Sequence, residues 1–290
     1  MEDRYDRNIR FLGKQGQEIL RAANAAIIGV GGLGSHVVQQ LSFLGIGGLI
    51  LIDNEELDGT NLNRYIGARY DDPIPGTRKV DLGERIANSI DPSIRVTKVF
   101  GPLLSKQSFE EIIKADYVFG CVDNDSTRFV LNELCSAYCL PYFDLASDIN
   151  SGPPLSYGGR VIVAWDGSGC LYCADVLDMK EVQRELDDPS VIRERDAIYG
   201  VSRSLLAEVG PSVVSVNGVI ASLAVTEFTV GITGIRTPRT HLNYHGHLGK
   251  VTDSRDQPQA DCYYCKKIRG SREEADIKRY ITIDIRGRKK

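Results

Sequence analysis

Two periodicities alternate along the first half of the chain. Ile9, Leu12, Ile19 and Leu20 recur among polar residues at helical spacing, which predicts an amphipathic helix over residues 4–22. Short apolar runs at 25–29, 49–53, 94–100, 117–122 and 142–146 predict strands. Between them, Val80, Leu82, Ile86 and Ile90 mark a helix over 77–90, and further helices are predicted at 34–44, 105–114 and 126–139. Strand and helix taking turns in this way imply βαβ units and a mostly parallel sheet with helices on both faces. The second half differs. Residues 160–164 alternate as an antiparallel strand does, and 240–251 hold one or two more strands. Residues 209–230 form a long apolar helix candidate. Residues 175–208 are crowded with charge and read as a mobile crossover, with 179–186 as a helix-like lid or partner contact.

The sharpest local motif is Gly29-Val30-Gly31-Gly32-Leu33-Gly34, placed between a predicted strand and a predicted helix. Glycines there let backbone approach phosphate and let helix and strand pack closely, and the helix N-terminus offers free N–H groups to an anion. Asp53 closes the second strand about 20 residues on, where a carboxylate would bond a ribose hydroxyl. The plain alternative is a structural glycine turn. The context favours an adenine nucleotide, with NAD, FAD and ATP all open at this point. The fold class is therefore α/β, Rossmann-like, a mostly parallel sheet continued by antiparallel strands. One domain spans 1–290, with a nucleotide-binding half at 1–150 and a substrate- or partner-binding half at 151–290.

Asn61, Arg64 and Lys79 narrow the choice of nucleotide. Hydride transfer needs no such set, whereas attack on the α-phosphate of ATP calls for positive groups over the phosphates and the leaving pyrophosphate. Arg64 can clamp phosphate oxygens in pairs and Lys79 acts as a point charge. Asp123 follows the strand at 117–122, on the edge of the sheet where ligands sit. A carboxylate there can hold Mg²⁺ between phosphates. Otherwise it caps the next helix, a role open also to Asp125 and Ser126.

Composition changes this picture little. Hydrophobic residues make up 42% and charged residues 26% of 290, as in ordinary globular proteins. The net charge of −4 gives no global case for nucleic-acid binding. No apolar run of about 18 residues is uninterrupted, so no membrane span is read, and the polar start lacks a signal-peptide core. The default expectation is a cytoplasmic protein. Seven cysteines argue against a secreted disulfide framework. Four of them, Cys170, Cys173, Cys262 and Cys265, form two Cys-x-x-Cys knuckles, the ligand set of a closed structural Zn²⁺ site. A redox role for the pairs is the weaker alternative. Cys121, Cys135 and Cys139 read as core, the last two on one helix face. His241, His245 and His247 lack a standard metal spacing. The basic tail from Lys266 reads as a solvated end or a docking surface for an acidic partner.

Taken in order, Arg4-Tyr5-Asp6-Arg7, Gly29 to Gly34, Asp53, Asn61 to Arg64, Lys79, Asp123 to Arg128 and the cysteine pairs resemble the ThiF/MoeB/HesA family of adenylating enzymes, kin of ubiquitin-activating enzymes. The resemblance runs over nearly the whole chain. It implies adenylation of the C-terminal carboxylate of a ubiquitin-like or sulfur-carrier protein, ending in small residues, by ATP with Mg²⁺. It also implies a homodimer in which Arg7 reaches the partner's phosphates, Asp53 binding ribose, Asn61, Arg64 and Lys79 on the phosphates, and Asp123 as the essential Mg²⁺ ligand. Onward transfer would go to a conjugating enzyme or a sulfur donor. One departure stands out. Members that form a thioester carry a nucleophilic Cys after the first knuckle, but residues 174–210 contain none. Either the reaction stops at the adenylate, or Ser202 or Ser204 acts as acyl acceptor, which needs an activating base. Two alternatives remain: adenylation of another carboxylate, such as a modified tRNA base or a peptide, and a non-catalytic nucleotide-binding scaffold.

Overall fold

A computed structural model describes residues 4–186, 211–254 and 258–282. Strands β1 (Asn24–Ile28), β2 (Gly48–Asp53), β3 (Arg95–Phe100), β4 (Tyr117–Gly120) and β5 (Tyr142–Asn150) run parallel in the order β3-β2-β1-β4-β5. Three antiparallel strands then extend the same sheet: β6 (Ser156–Ala164), β7 (His241–His245) and β8 (Lys250–Asp253). The switch of direction follows from the connections. Each parallel strand is reached through a helix, while β5 and β6 are joined by residues 151–155 alone.

Helices α2 (Gly32–Leu44) and α3 (Lys79–Ile90) cover one face of the sheet together with α7 (Val214–Ile232). Helices α4 (Lys106–Ile112) and α5 (Asp125–Ala137) cover the other, joined by α6 (Met179–Leu186) and the tail at 258–282. The central strands are therefore buried on both faces: Ala25, Ala26, Ile27, Leu49, Leu51, Val118 and Phe119 are all inaccessible. Helix α7 has the length and apolarity to cross a bilayer. Here Ile220, Ala221, Ala224 and Phe228 are packed into the core instead, as expected of a helix laid across a sheet.

Three expectations need correction. The first helix, α1 (Asp6–Ala22), is broken at Gly13, whose φ of 74° no helix contains. Helix α5 ends at Ala137, so Cys139 lies beyond it, exposed and at φ 56°, and shares no helical face with buried Cys135. The basic tail is no solvated end within the described residues. Ile268, Ala275, Ile277 and Tyr280 are buried against α5, and buried Glu133 accepts hydrogen bonds from the Tyr280 hydroxyl, at 2.7 Å, and from Arg279.

The start of α1 is pinned to the body by Tyr5, whose buried hydroxyl donates to Asp91. Burial and this bond push the Tyr5 hydroxyl up to about 12. The neutral donor is the stabilising form, so its contribution is complete below pH ~10 and is lost as pH rises through the folded value. Tyr5→Phe should cost about 1 kcal/mol at neutral pH and leave stability flatter above pH ~10 than in wild type. Urea unfolding across pH 7–11 measures both; equal slopes in the two proteins would count against the role.

Candidate adenylation site

The glycine turn begins where β1 ends. Gly29 has φ 85°, and a Cβ there would lie 2.7 Å from the Cys121 carbonyl oxygen. A Cβ at Gly34 would lie 2.0 Å from the Gly29 carbonyl oxygen, so the turn closes only without side chains at both positions. Gly31 has open space around it, which leaves that side of the turn accessible to a phosphate. Gly32 opens α2, whose N-terminus has no side-chain cap and so leaves its first N–H groups available to an anion.

Asp53 stands at the end of β2, beside the turn. Its carboxylate accepts from the backbone N–H of Val30, at 2.7 Å, and of Glu55, at 2.8 Å. Burial pushes this carboxyl above the usual range, opposed by the Lys79 charge and by those two N–H groups. Asn61 is buried, and its carbonyl oxygen accepts from the Asp58 N–H in a reciprocal cap of the short turn Gly59–Asn61. That cap holds the following Arg64. The stem of Arg64 passes the turn, 3.6 Å from where a Gly32 Cβ would be, and its guanidinium donates to the Thr60 carbonyl.

Lys79 is the first residue of α3 and is buried, with its ammonium 2.6 Å from Glu55. This counter-charge was not read from the sequence, because Glu55 and Lys79 come together only through the isolated bridge between Glu56 and Arg78. Asp123 is exposed just past β4, and its neighbour Val122 flanks the place a Gly29 Cβ would take. Asp123 does not cap α5, and neither do Asp125 and Ser126. The cap is Asn124, extended at φ −131°, whose side-chain oxygen accepts from the Thr127 N–H at 2.9 Å.

The turn carrying Asp123 is fixed from beneath by Arg128. Its guanidinium donates to the Val122 carbonyl at 2.5 Å, to Asp125 at 3.2 Å and to Asp144 at 3.2 Å. Asp144 is completely buried in β5, opposite Gly120, and also accepts from the Tyr142 hydroxyl at 3.0 Å. A carboxylate inside an apolar strand run was the one readable sign of this anchor. Asp125 in turn accepts from the Asp178 N–H, and Ser126 donates to Glu185, which seats α6 on the same corner. Gly29, Gly31, Gly32, Gly34, Asp53, Asn61, Arg64, Lys79 and Asp123 thus gather along one edge of the sheet. Arg7 does not join them: it is exposed on α1, and among the described residues no hydrogen bond or ion pair ties it to the turn. Ser202 and Ser204 lie outside the described residues.

The four cysteines form a second centre. Their sulfurs lie within 4.8 Å of one another, with near edges of 3.8, 3.7 and 3.6 Å. A tetrahedral zinc with Zn–S bonds of about 2.3 Å requires edges of about 3.8 Å, while a disulfide requires ~2.05 Å, so the donor set fits the metal. The first knuckle is seated by the Leu171 N–H donating to Asn132 of α5, and the Gln259 N–H points at the Cys173 sulfur, 3.4 Å away. Among the described residues the histidines form no comparable group: His245 bonds Thr252, and His247 lies past the end of β7.

The ThiF family model matches residues 5–268. The SAMP-activating enzyme E1 of Haloferax volcanii is 30% identical over 141 residues, 48% of this chain and 52% of that protein. The sulfur carrier protein ThiS adenylyltransferase of Escherichia coli is 27% identical over 244 residues, 82% of this chain and 84% of its own length. The chain spans about half the length of the Haloferax enzyme and of several insect relatives. Among solved structures, E. coli MccB superposes with a TM-score of 0.69 at 22% identity, over 91% of this chain and 74% of that one, a likeness of fold. With the family's match running from the first helix to the second cysteine knuckle, the chain belongs to the ThiF family.

Proposed function

We propose that this chain adenylates the C-terminal carboxylate of a ubiquitin-like or sulfur-carrier protein. The observation that carries the reading is the gathering of Arg64, Lys79, Asp53 and Asp123 around an open glycine turn. ATP would lie with its ribose on Asp53 and its phosphates over Gly31 and the first N–H groups of α2. The carboxylate oxygen attacks the α-phosphorus. A new O–P bond forms, the bond to the α,β-bridging oxygen breaks, and pyrophosphate leaves with the electron pair. Arg64 and Lys79 would balance the charge that develops on the phosphate oxygens. Lys79 is held ready by Glu55 and kept out of bulk water, where its charge counts for more.

Mg²⁺, when bound, would neutralise phosphate charge and steady the leaving group. Asp123 would hold it, a role supported by the way Arg128 and Asn124 fix the turn that carries it. Zn²⁺ would be held by Cys170, Cys173, Cys262 and Cys265 in a closed structural role. Arg7 is assigned to the phosphates of a second copy in a homodimer, an arrangement suited to an exposed arginine on a pinned helix. The names of the relatives support the substrate class, since they act on SAMP and ThiS.

Exchange of labelled pyrophosphate into ATP is the test, with candidate carrier proteins supplied one at a time. Exchange dependent on a carrier with an intact small-residue C-terminus is expected. Exchange driven by a short peptide or a tRNA, with none from carriers, would replace this substrate class. ATP binding with no exchange from any of these would leave the scaffold reading.

A further inference from the structure

We propose that Asn217 is a further nucleotide-binding residue, its side-chain amide donating to the phosphates of ATP at the glycine turn. This rests on the adenylation reading and adds to it a group from the far side of the site. Asn217 lies in the first turn of α7, the helix that follows residues 187–210. It is 1% exposed. Its amide nitrogen would be 2.6 Å from a Cβ on Gly32, the same point that the Arg64 stem approaches at 3.6 Å. Asn217 and Arg64 therefore flank one glycine, the first residue of α2, from two different elements.

The hydrogen bonds of Asn217 show that its polarity is not used up by the fold. The amide nitrogen carries two hydrogens and, among the described residues, makes one bond, to the Ser212 hydroxyl at 3.1 Å. The carbonyl oxygen is buried without a partner among the described residues. A buried amide left half satisfied is a cost to the fold that an apolar side chain of similar size would not incur. Elsewhere on α7 the buried positions are apolar, as Val216, Ile220, Ala221 and Ala224 are, or polar with a partner: Glu227 pairs with Arg236, and the Thr229 hydroxyl donates to the Val225 carbonyl. Beside the glycine turn, the group of Asn217 that an anion can use is its second amide hydrogen; the carbonyl oxygen, an acceptor, gains nothing from a phosphate. An anion suits the place, because it lies at the uncapped N-terminus of α2 and Arg64 adds a positive charge. A ligand bond here would also tie the start of α7 to the presence of nucleotide.

The test uses the full-length protein without any carrier, titrated calorimetrically with ATP and Mg²⁺. Asn217→Leu is expected to weaken ATP binding about tenfold or more, the usual range for a lost hydrogen bond to a charged group. The ligand-free melting temperature of that variant should equal or exceed the wild-type value, since the orphaned oxygen is gone. The rise in melting temperature on adding ATP should shrink accordingly. Asn217→Asp should bind more weakly still, through like-charge repulsion. Ser212→Ala, which keeps the amide, should bind nearly as wild type and serves if the leucine does not fit. Wild-type affinity in Asn217→Leu, or equal losses in Asn217→Leu and Ser212→Ala, would overturn the proposal. Failure of the wild-type protein to bind ATP would instead remove the adenylation reading beneath it.

Discussion

Asp123→Ala is expected to lower ATP–pyrophosphate exchange more than about a hundredfold, the scale on which charge-stabilising groups act in polar transition states. The melting temperature should stay within about 2 °C of wild type, because exposed groups outside the load path of a fold contribute little. The structure explains why the two effects separate. Asp123 is exposed, and it accepts a long hydrogen bond, 3.4 Å, from the Asn124 amide. The turn that carries it is held by other residues. Arg128 grips the Val122 carbonyl on one side, and Asn124 caps α5 on the other. Removing the carboxylate leaves those bonds in place and takes away the metal-holding charge. Exchange within a few-fold of wild type would show that phosphate charge is handled elsewhere, and the mechanism proposed for this edge would fall.

The same comparison shows what the sequence made legible. The glycine turn and Asp53 could be read because their function needs fixed residue types at fixed spacing around a strand and a helix. Zinc-type cysteine pairs could be read for the same reason: four thiolates in two knuckles have few other uses. Residues that act through tertiary placement were hidden. Asp144 sits in an apolar strand, and its role appears only when β5 pairs beside Gly120 and Arg128 reaches across from α5. Glu55 belongs to no motif, and its part appears only when a bridge brings Lys79 to it. Asn217 lay in a long apolar helix, far in sequence from the turn it flanks. The tail misled for a related reason. Its lysines and arginines set its composition, while Ile268, Ile277 and Tyr280 at scattered spacing set where it packs.

That packing shapes the second large expectation, Cys170→Ser. A serine hydroxyl stays protonated at neutral pH and is a poor zinc ligand, so the variant should lose its metal, from about one zinc per chain to near none by elemental mass spectrometry. The knuckles join the segment after β6 to the tail at 258–282, and both rest on α5. Without the metal, three remaining thiols and a serine are left close together in a buried cluster that gains nothing from them. Structural zinc supplies roughly 10–16 kcal/mol in small zinc peptides. Here part of the fastening survives, because Tyr280 and Arg279 still bond Glu133 and the tail still buries its apolar residues. A net loss of several kcal/mol is therefore expected, about 10 °C in melting temperature for a chain of this size. Limited proteolysis should then cut first in the tail, ahead of the sheet. A wild-type protein that carries no zinc, and melts at the same temperature with and without a strong chelator, would show that the four sulfurs are gathered for another purpose.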